Sequence, residues 1–196
     1  RLPPSGMSPL LAMGLLLAVL QSGAVTTSIE ESFEYQYSDI EGDSAQDIAD
    51  WFSARQFGGT IGETMTNLST YYRYEIRGGQ CVLTDITAYL TITQTMPRWV
   101  DEAEGSRRVR RQWNTFMTNL QTHEDGHVEI ARRGAAIVLD RLSQTAPADN
   151  CDALGQALDA QSRNLWQRLQ TSQRDYDRAT EHGRTQGAFI EFNSRR

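Results

Sequence analysis

His123-Glu124-Asp125-Gly126-His127 is the stretch of this chain whose residue types and spacing could do chemistry. Residues four apart on a helix lie about 40° apart in projection and about 6 Å along the axis, so both imidazoles can reach one metal ion. Zinc takes nitrogen ligands at about 2.0 to 2.1 Å in a tetrahedron, and a catalytic zinc keeps one position for water. Glu124, one residue on, can face that water as general base, taking a proton during attack on a carbonyl and passing it to the leaving nitrogen. The competing reading is a pair of core histidines. Burying two imidazoles one turn apart without a metal or several hydrogen-bond partners is costly, which favours the metal.

A third ligand is required. The one other histidine is His182, within Tyr176-Asp177-Arg178-Ala179-Thr180-Glu181-His182-Gly183, and scarcity makes it the first candidate. If two straight helices turn near Ala148, the position level with Asp125 is near Thr171, and His182 overshoots by about 11 residues, or about 16 Å of helix. Asp175 and Asp177 are closer to level and Glu181 adjoins His182, so these carboxylates stay open as alternatives. Tyr176 is a candidate to stabilise the oxyanion of a tetrahedral intermediate if its hydroxyl points at the metal; otherwise it is a core residue.

The elements that must position these groups follow from periodicity. Val109, Trp113, Phe116, Leu120, His123, His127, Ile130, Gly134, Ile137 and Arg141 recur at steps of four and three, which predicts a long helix from Ser106 with both histidines in its packed stripe. Pro147 and Asp149-Asn150 break it. Leu154, Leu158, Leu165, Leu169 and Tyr176 mark a second helix that packs back on the first and stops near Gly183. Upstream, Thr70 to Arg77 and Cys81 to Thr93 read as strands of a hairpin turned at Gly78-Gly79. The second strand places Val82, Thr84, Ile86, Ala88, Leu90 and Ile92 on one face, and Pro97 closes it. An earlier strand around Ser32 to Tyr37 leads to a short helix, capped by Ser44 and Asp47, that carries Ile48, Trp51 and Phe52 and stops near Gly58-Gly59. The fold class expected is α+β: a small antiparallel sheet packed with one short and two long helices, the first long helix carrying a zincin-like active site.

Composition bounds the rest. The 196 residues are 39% hydrophobic and 22% charged, which suits one folded domain. All 19 basic residues are arginines, set against 25 acidic ones, and the net charge of -6 argues against nucleic acid as a partner. Arg107-Arg108 and Arg110-Arg111 read as a solvated face at a helix start. The apolar run Leu10 to Leu20, followed by Ser22 and Ala24, reads as a signal peptide over residues 1–24, leaving one domain over 25–196 that is secreted or periplasmic with no membrane span after cleavage. In such a compartment Cys81 and Cys151 pair as a disulfide rather than standing as two buried thiols.

Taken together, Tyr37-Ser38-Asp39-Ile40-Glu41-Gly42, Cys81, Pro97-Arg98-Trp99, the H-E-x-x-H stretch, Tyr176-Asp177 to His182-Gly183 and Gln186-Gly187 resemble a bacterial family of secreted zinc-dependent proteases, a zincin-like domain of unknown function. The resemblance covers most of the chain after residue 24. It implies export, Zn2+ as cofactor and a peptide or protein substrate. Better-known zincin patterns fit less well: Ile130 and Arg133 stand where H-E-x-x-H-x-x-G-x-x-H needs glycine and histidine, and no N-E-x-x-S-D segment follows. The third ligand of such a site therefore comes from the distant C-terminal segment. The strand Cys81 to Thr93 reads equally as an edge for pairing with an extended substrate or as an internal strand. The sequence thus supports a zinc metallopeptidase, with two rivals: a non-catalytic binding module stabilised by zinc, and a metal-dependent hydrolase of another amide or ester.

Overall fold

The computed structural model describes residues 23–55 and 61–191. The apolar leader and the expected helix stop at Gly58-Gly59 lie outside the described residues. The chain forms strand β1 (Thr26–Ile40), helix α1 (Ala45–Arg55), β2 (Glu63–Arg77), β3 (Gln80–Trp99), α2 (Arg107–Ser143), α3 (Cys151–Thr180) and a 3-10 turn at Arg184–Gln186. This is the expected α+β architecture, with one short and two long helices on a small sheet.

The sheet order is β1-β3-β2. β2 and β3 form the expected antiparallel hairpin, turned where Gly78 and Gly79 both take positive φ, of 58° and 84°. β1 runs parallel to β3, so the sheet is mixed and not wholly antiparallel. After β1 the chain passes through α1, and β2 takes the opposite edge of the sheet. β3 is therefore the central strand, which removes it as the edge available to a substrate; the edges are β1 and β2.

A bulge corrects the face assignment in β3. Asp85 pairs with Arg73 and Leu83 with Tyr74, so Thr84 is left unpaired. One extra residue reverses the alternation. Cys81 and Leu83, not Val82 and Thr84, join Ile86, Ala88, Leu90 and Ile92 in the core. The strand also runs through Pro97 to Trp99: beyond Thr95 β3 has lost its β2 partner, and proline is tolerated where a strand pairs on one side only.

The inward turn of Cys81 brings it to Cys151, and the two form a disulfide across a sequence separation of 70. Cys81 also exchanges two backbone hydrogen bonds with Ala148, of 2.8 and 3.0 Å. The hairpin thus clamps the loop between α2 and α3. Ser106 caps α2 by accepting from the Val109 amide (3.3 Å), and Asn150 caps α3 by accepting from that of Ala153 (2.9 Å). One apolar cluster gathers Leu83 and Ile86 with Leu142, Leu154 and Leu158 near this loop. Another gathers Ile40, Phe52, Trp99, Trp113 and Leu120 at the other end. Gln94, His123, Glu124 and His127 are buried polar side chains, on the β3 and α2 faces that these clusters flank.

Replacing both cysteines by serine is expected to cost about 4 kcal/mol, from the entropy returned to the unfolded loop. Urea unfolding of the double variant checks this; an unchanged midpoint would contradict it.

Candidate metal centre

α2 holds His123 and His127 one turn apart with perpendicular rings, centroids 4.9 Å apart. α3 returns antiparallel and brings Gln173 and Asp177 to His127, about one and two turns beyond the position that the simple two-helix estimate makes level with it. Gln173 donates through Nε2 to the His127 carbonyl (3.1 Å), which orients its amide so that Oε1 faces His127 Nδ1 at 2.7 Å. An amide oxygen only accepts, so Nδ1 carries a proton, and in the neutral tautomer this contact selects, the lone pair is on Nε2. His123 is set the same way: Gln186 donates to the Tyr176 hydroxyl (3.1 Å), and its Oε1 accepts from His123 Nδ1 (3.0 Å).

Both bare Nε2 atoms then face one carboxylate oxygen. Asp177 Oδ1 lies 2.9 Å from that of His127 and 3.4 Å from that of His123. The ligand atoms of His123, His127 and Asp177 lie within 4.8 Å of one another. Burial pushes the His123 pKa below the usual histidine range; its bond with Gln186 and the Asp177 charge oppose the shift without reversing it. That ring is neutral at pH 7. Two imidazoles and a carboxylate grouped this closely could hold a divalent metal ion.

Glu124 is buried beside the cluster. The Thr64 hydroxyl on β2 donates to its Oε2 (2.7 Å), and Gln94 on β3 donates to the Thr64 hydroxyl (3.4 Å). Burial raises the Glu124 pKa above the usual carboxylate range, against the opposing Thr64 bond. Gly62 leaves room for it, since a Cβ there would sit 2.9 Å from Glu124 Oε1. A cavity of about 1050 Å³ opens onto His123, Glu124, His127, Asp177, His182 and Thr64.

The remaining sequence candidates separate. α3 ends at Thr180, and Glu181, His182 and Gly183 all take left-handed conformations (φ 49°, 53° and 82°), so the chain doubles back instead of overshooting. His182 Nδ1 comes to 3.8 Å from Asp177 Oδ1, with its ring exposed. Asp175 pairs with Arg178 (2.9 Å) and Glu181 with Arg184 (3.4 Å), both on the exposed surface. Tyr176 lies outside the cavity lining. Its ring stacks on His123 at a centroid distance of 5.2 Å, and its hydroxyl donates to the His123 carbonyl (3.2 Å). These contacts suit packing and positioning, one of the two roles the sequence left open for Tyr176.

Sequence reasoning missed Thr64, Gln94, Gln173 and Gln186. Gln94 had a signal, being the polar residue in phase with Leu90, Ile92 and Met96 on the inward face of β3. Gln173 had a weaker one, four residues before Asp177 on one helical face.

The family model described as bacterial protein of unknown function (DUF922) matches residues 35–183. The chain belongs to this family. The match takes in both histidines of α2, Glu124, Asp177 and His182, while Gln186 lies just beyond it. No curated protein and no solved structure matches the chain. The DUF922 description assigns no activity, so chemistry rests on the geometry above.

Gly126 admits the Tyr176 ring, since a Cβ at that position would collide with the tyrosine hydroxyl. Gly126→Ala is expected to destabilise the fold by about 1 to 3 kcal/mol through this overpacking. Gly155→Ala, whose Cβ would meet only the Tyr74 hydroxyl at 3.4 Å, is expected to stabilise α3 by about 0.5 to 1 kcal/mol. Chemical denaturation of the two variants reads these opposite signs; a neutral Gly126→Ala would contradict the packing described.

Proposed function

We propose that this DUF922 protein is an extracytoplasmic metallopeptidase, with zinc held by His123, His127 and Asp177 and with Glu124 as general base. The observation that carries the reading is the convergence of two tautomer-fixed Nε2 atoms and Asp177 Oδ1 in a cavity shared with Glu124. A bound divalent ion would supply Lewis acidity, polarising water and a substrate carbonyl. The chain's own groups account for the proton. Thr64 occupies Glu124 Oε2, which leaves Oε1 to take a proton from attacking water, and the raised pKa lets the carboxyl keep it until the leaving nitrogen needs it. His182 stands beside these residues, its Nδ1 3.8 Å from Asp177 Oδ1, and would be a candidate fourth ligand.

The sheet supports a peptide substrate. Among the described residues β2 is an edge strand, and Gly62, Thr64 and Thr66 line the cavity, so an extended peptide could add to that edge with its backbone beside Glu124. The Cys81–Cys151 disulfide supports an oxidising compartment. Among the described residues no helix is long and apolar enough to cross a membrane. The proximity of His182 favours one rival, a closed site of four protein ligands that only ties α2 to α3 and does no chemistry.

Glu124→Gln separates the two. The metallopeptidase reading expects zinc content to be unchanged and peptide hydrolysis to fall by about 10²- to 10⁴-fold, the usual worth of a general base. Turnover equal to that of the parent chain would contradict the mechanism.

A further inference from the structure

The cavity beside Glu124 is chemically lopsided, and the lopsidedness bears on what it holds. At the end toward the α2 N-terminus it is walled by Ile61, Leu120 and Ala188, all of which belong to or pack against the apolar cluster. Beyond the histidines, toward the middle of α3, the wall is Thr66, Gln170 and Arg174. Strand alternation turns Thr64 and Thr66 inward, as their half-burial shows, while Glu63 and Met65, though exposed, also border the cavity.

The polar end is made of donors with little to do. Arg174 donates to the Thr171 hydroxyl (3.0 Å), and among the described residues it has no carboxylate partner. Gln170, one turn earlier and half-buried, makes no side-chain hydrogen bond among the described residues. Arg174 is also the only lysine or arginine among the residues lining this cavity. Arg174 is exposed and Gln170 half-buried, and a half-buried amide is normally paired. A guanidinium and an amide side by side on one helical face, both short of acceptors, match a carboxylate, which takes two parallel N–H donors from arginine and a further one from an amide.

We infer, building on the peptidase reading above, that the cleft selects a peptide presenting a carboxylate to Arg174 and Gln170 and an aliphatic side chain to Ile61 and Leu120. Arg174 is then a specificity determinant. The carboxylate is either an acidic side chain or the peptide's own C-terminus; both offer the same two oxygens.

The test is binding, not turnover. Full-length Glu124→Gln protein loaded with zinc is titrated, by fluorescence anisotropy, with end-capped peptides that carry leucine on one side and aspartate, asparagine or lysine on the other. A further arm uses the asparagine peptide with a free C-terminal carboxylate. The expected result is about fivefold tighter binding of the aspartate peptide, or of the free-carboxylate peptide if the chain end is the ligand, over the capped asparagine one, with lysine weakest. The preference fades at high salt and is abolished by Arg174→Met. Equal binding of all the peptides, or a preference that survives Arg174→Met, overturns the inference and leaves the peptidase reading standing. Binding of none of them removes the peptide-substrate reading itself and the inference with it.

Discussion

A neutral imidazole has one N–H to place, and in this chain two glutamines decide where it goes. Gln173 and Gln186 each offer an amide oxygen to an Nδ1 atom, and each has its amide nitrogen committed elsewhere, to the His127 carbonyl and the Tyr176 hydroxyl. Both Nε2 lone pairs are thereby aimed at Asp177. Neutral amides, in place of the carboxylates that often support metal-binding histidines, hold the tautomer without adding negative charge to a buried cluster that already contains Glu124 and Asp177.

The rest of the fold serves this alignment. α2 runs for 37 residues, long enough to anchor in separate apolar clusters at its two ends and to carry the polar residues between them. The register of α3 against α2 is pinned at the loop by the disulfide and the Cys81–Ala148 bridge. It is pinned at the site by Tyr176 filling the space that Gly126 leaves. The left-handed run from Glu181 to Gly183 then folds the chain back so that Gln186 reaches His123. Left-handed backbone at two non-glycine residues costs energy, and such strain persists where surrounding contacts over-determine it. Here those contacts are the His182 amide bond to the Asp177 carbonyl and the packing of Gly183 against His123.

The helices, the Ser44–Asp47 cap and the Gly78-Gly79 hairpin were legible because local rules govern them: a 3.6-residue stripe, an N-cap, a two-glycine turn. His123, Glu124 and His127 were legible for the same reason, as a spacing on one helix. What sequence reasoning missed is non-local. Whether β1 pairs with β2 or β3 depends on a crossover that no window of residues encodes, and the bulge at Thr84 depends on β2's register. The choice of Asp177 over His182 depends on where α3 stops and how it turns. Two straight helices overshot because nothing local in Glu181-His182 announces a left-handed bend. The supporting glutamines come from three different elements, so only the assembled fold could gather them.

The central claim is that His123, His127 and Asp177 share one metal ion, and its most direct measurement is the zinc stoichiometry of the oxidised protein by calorimetric titration, alongside Asp177→Ala and His182→Ala. The account predicts one tightly bound ion per chain, lost with Asp177→Ala and kept, at somewhat weaker affinity, with His182→Ala. Absence of binding to the parent chain, or binding that survives Asp177→Ala unchanged, would contradict it.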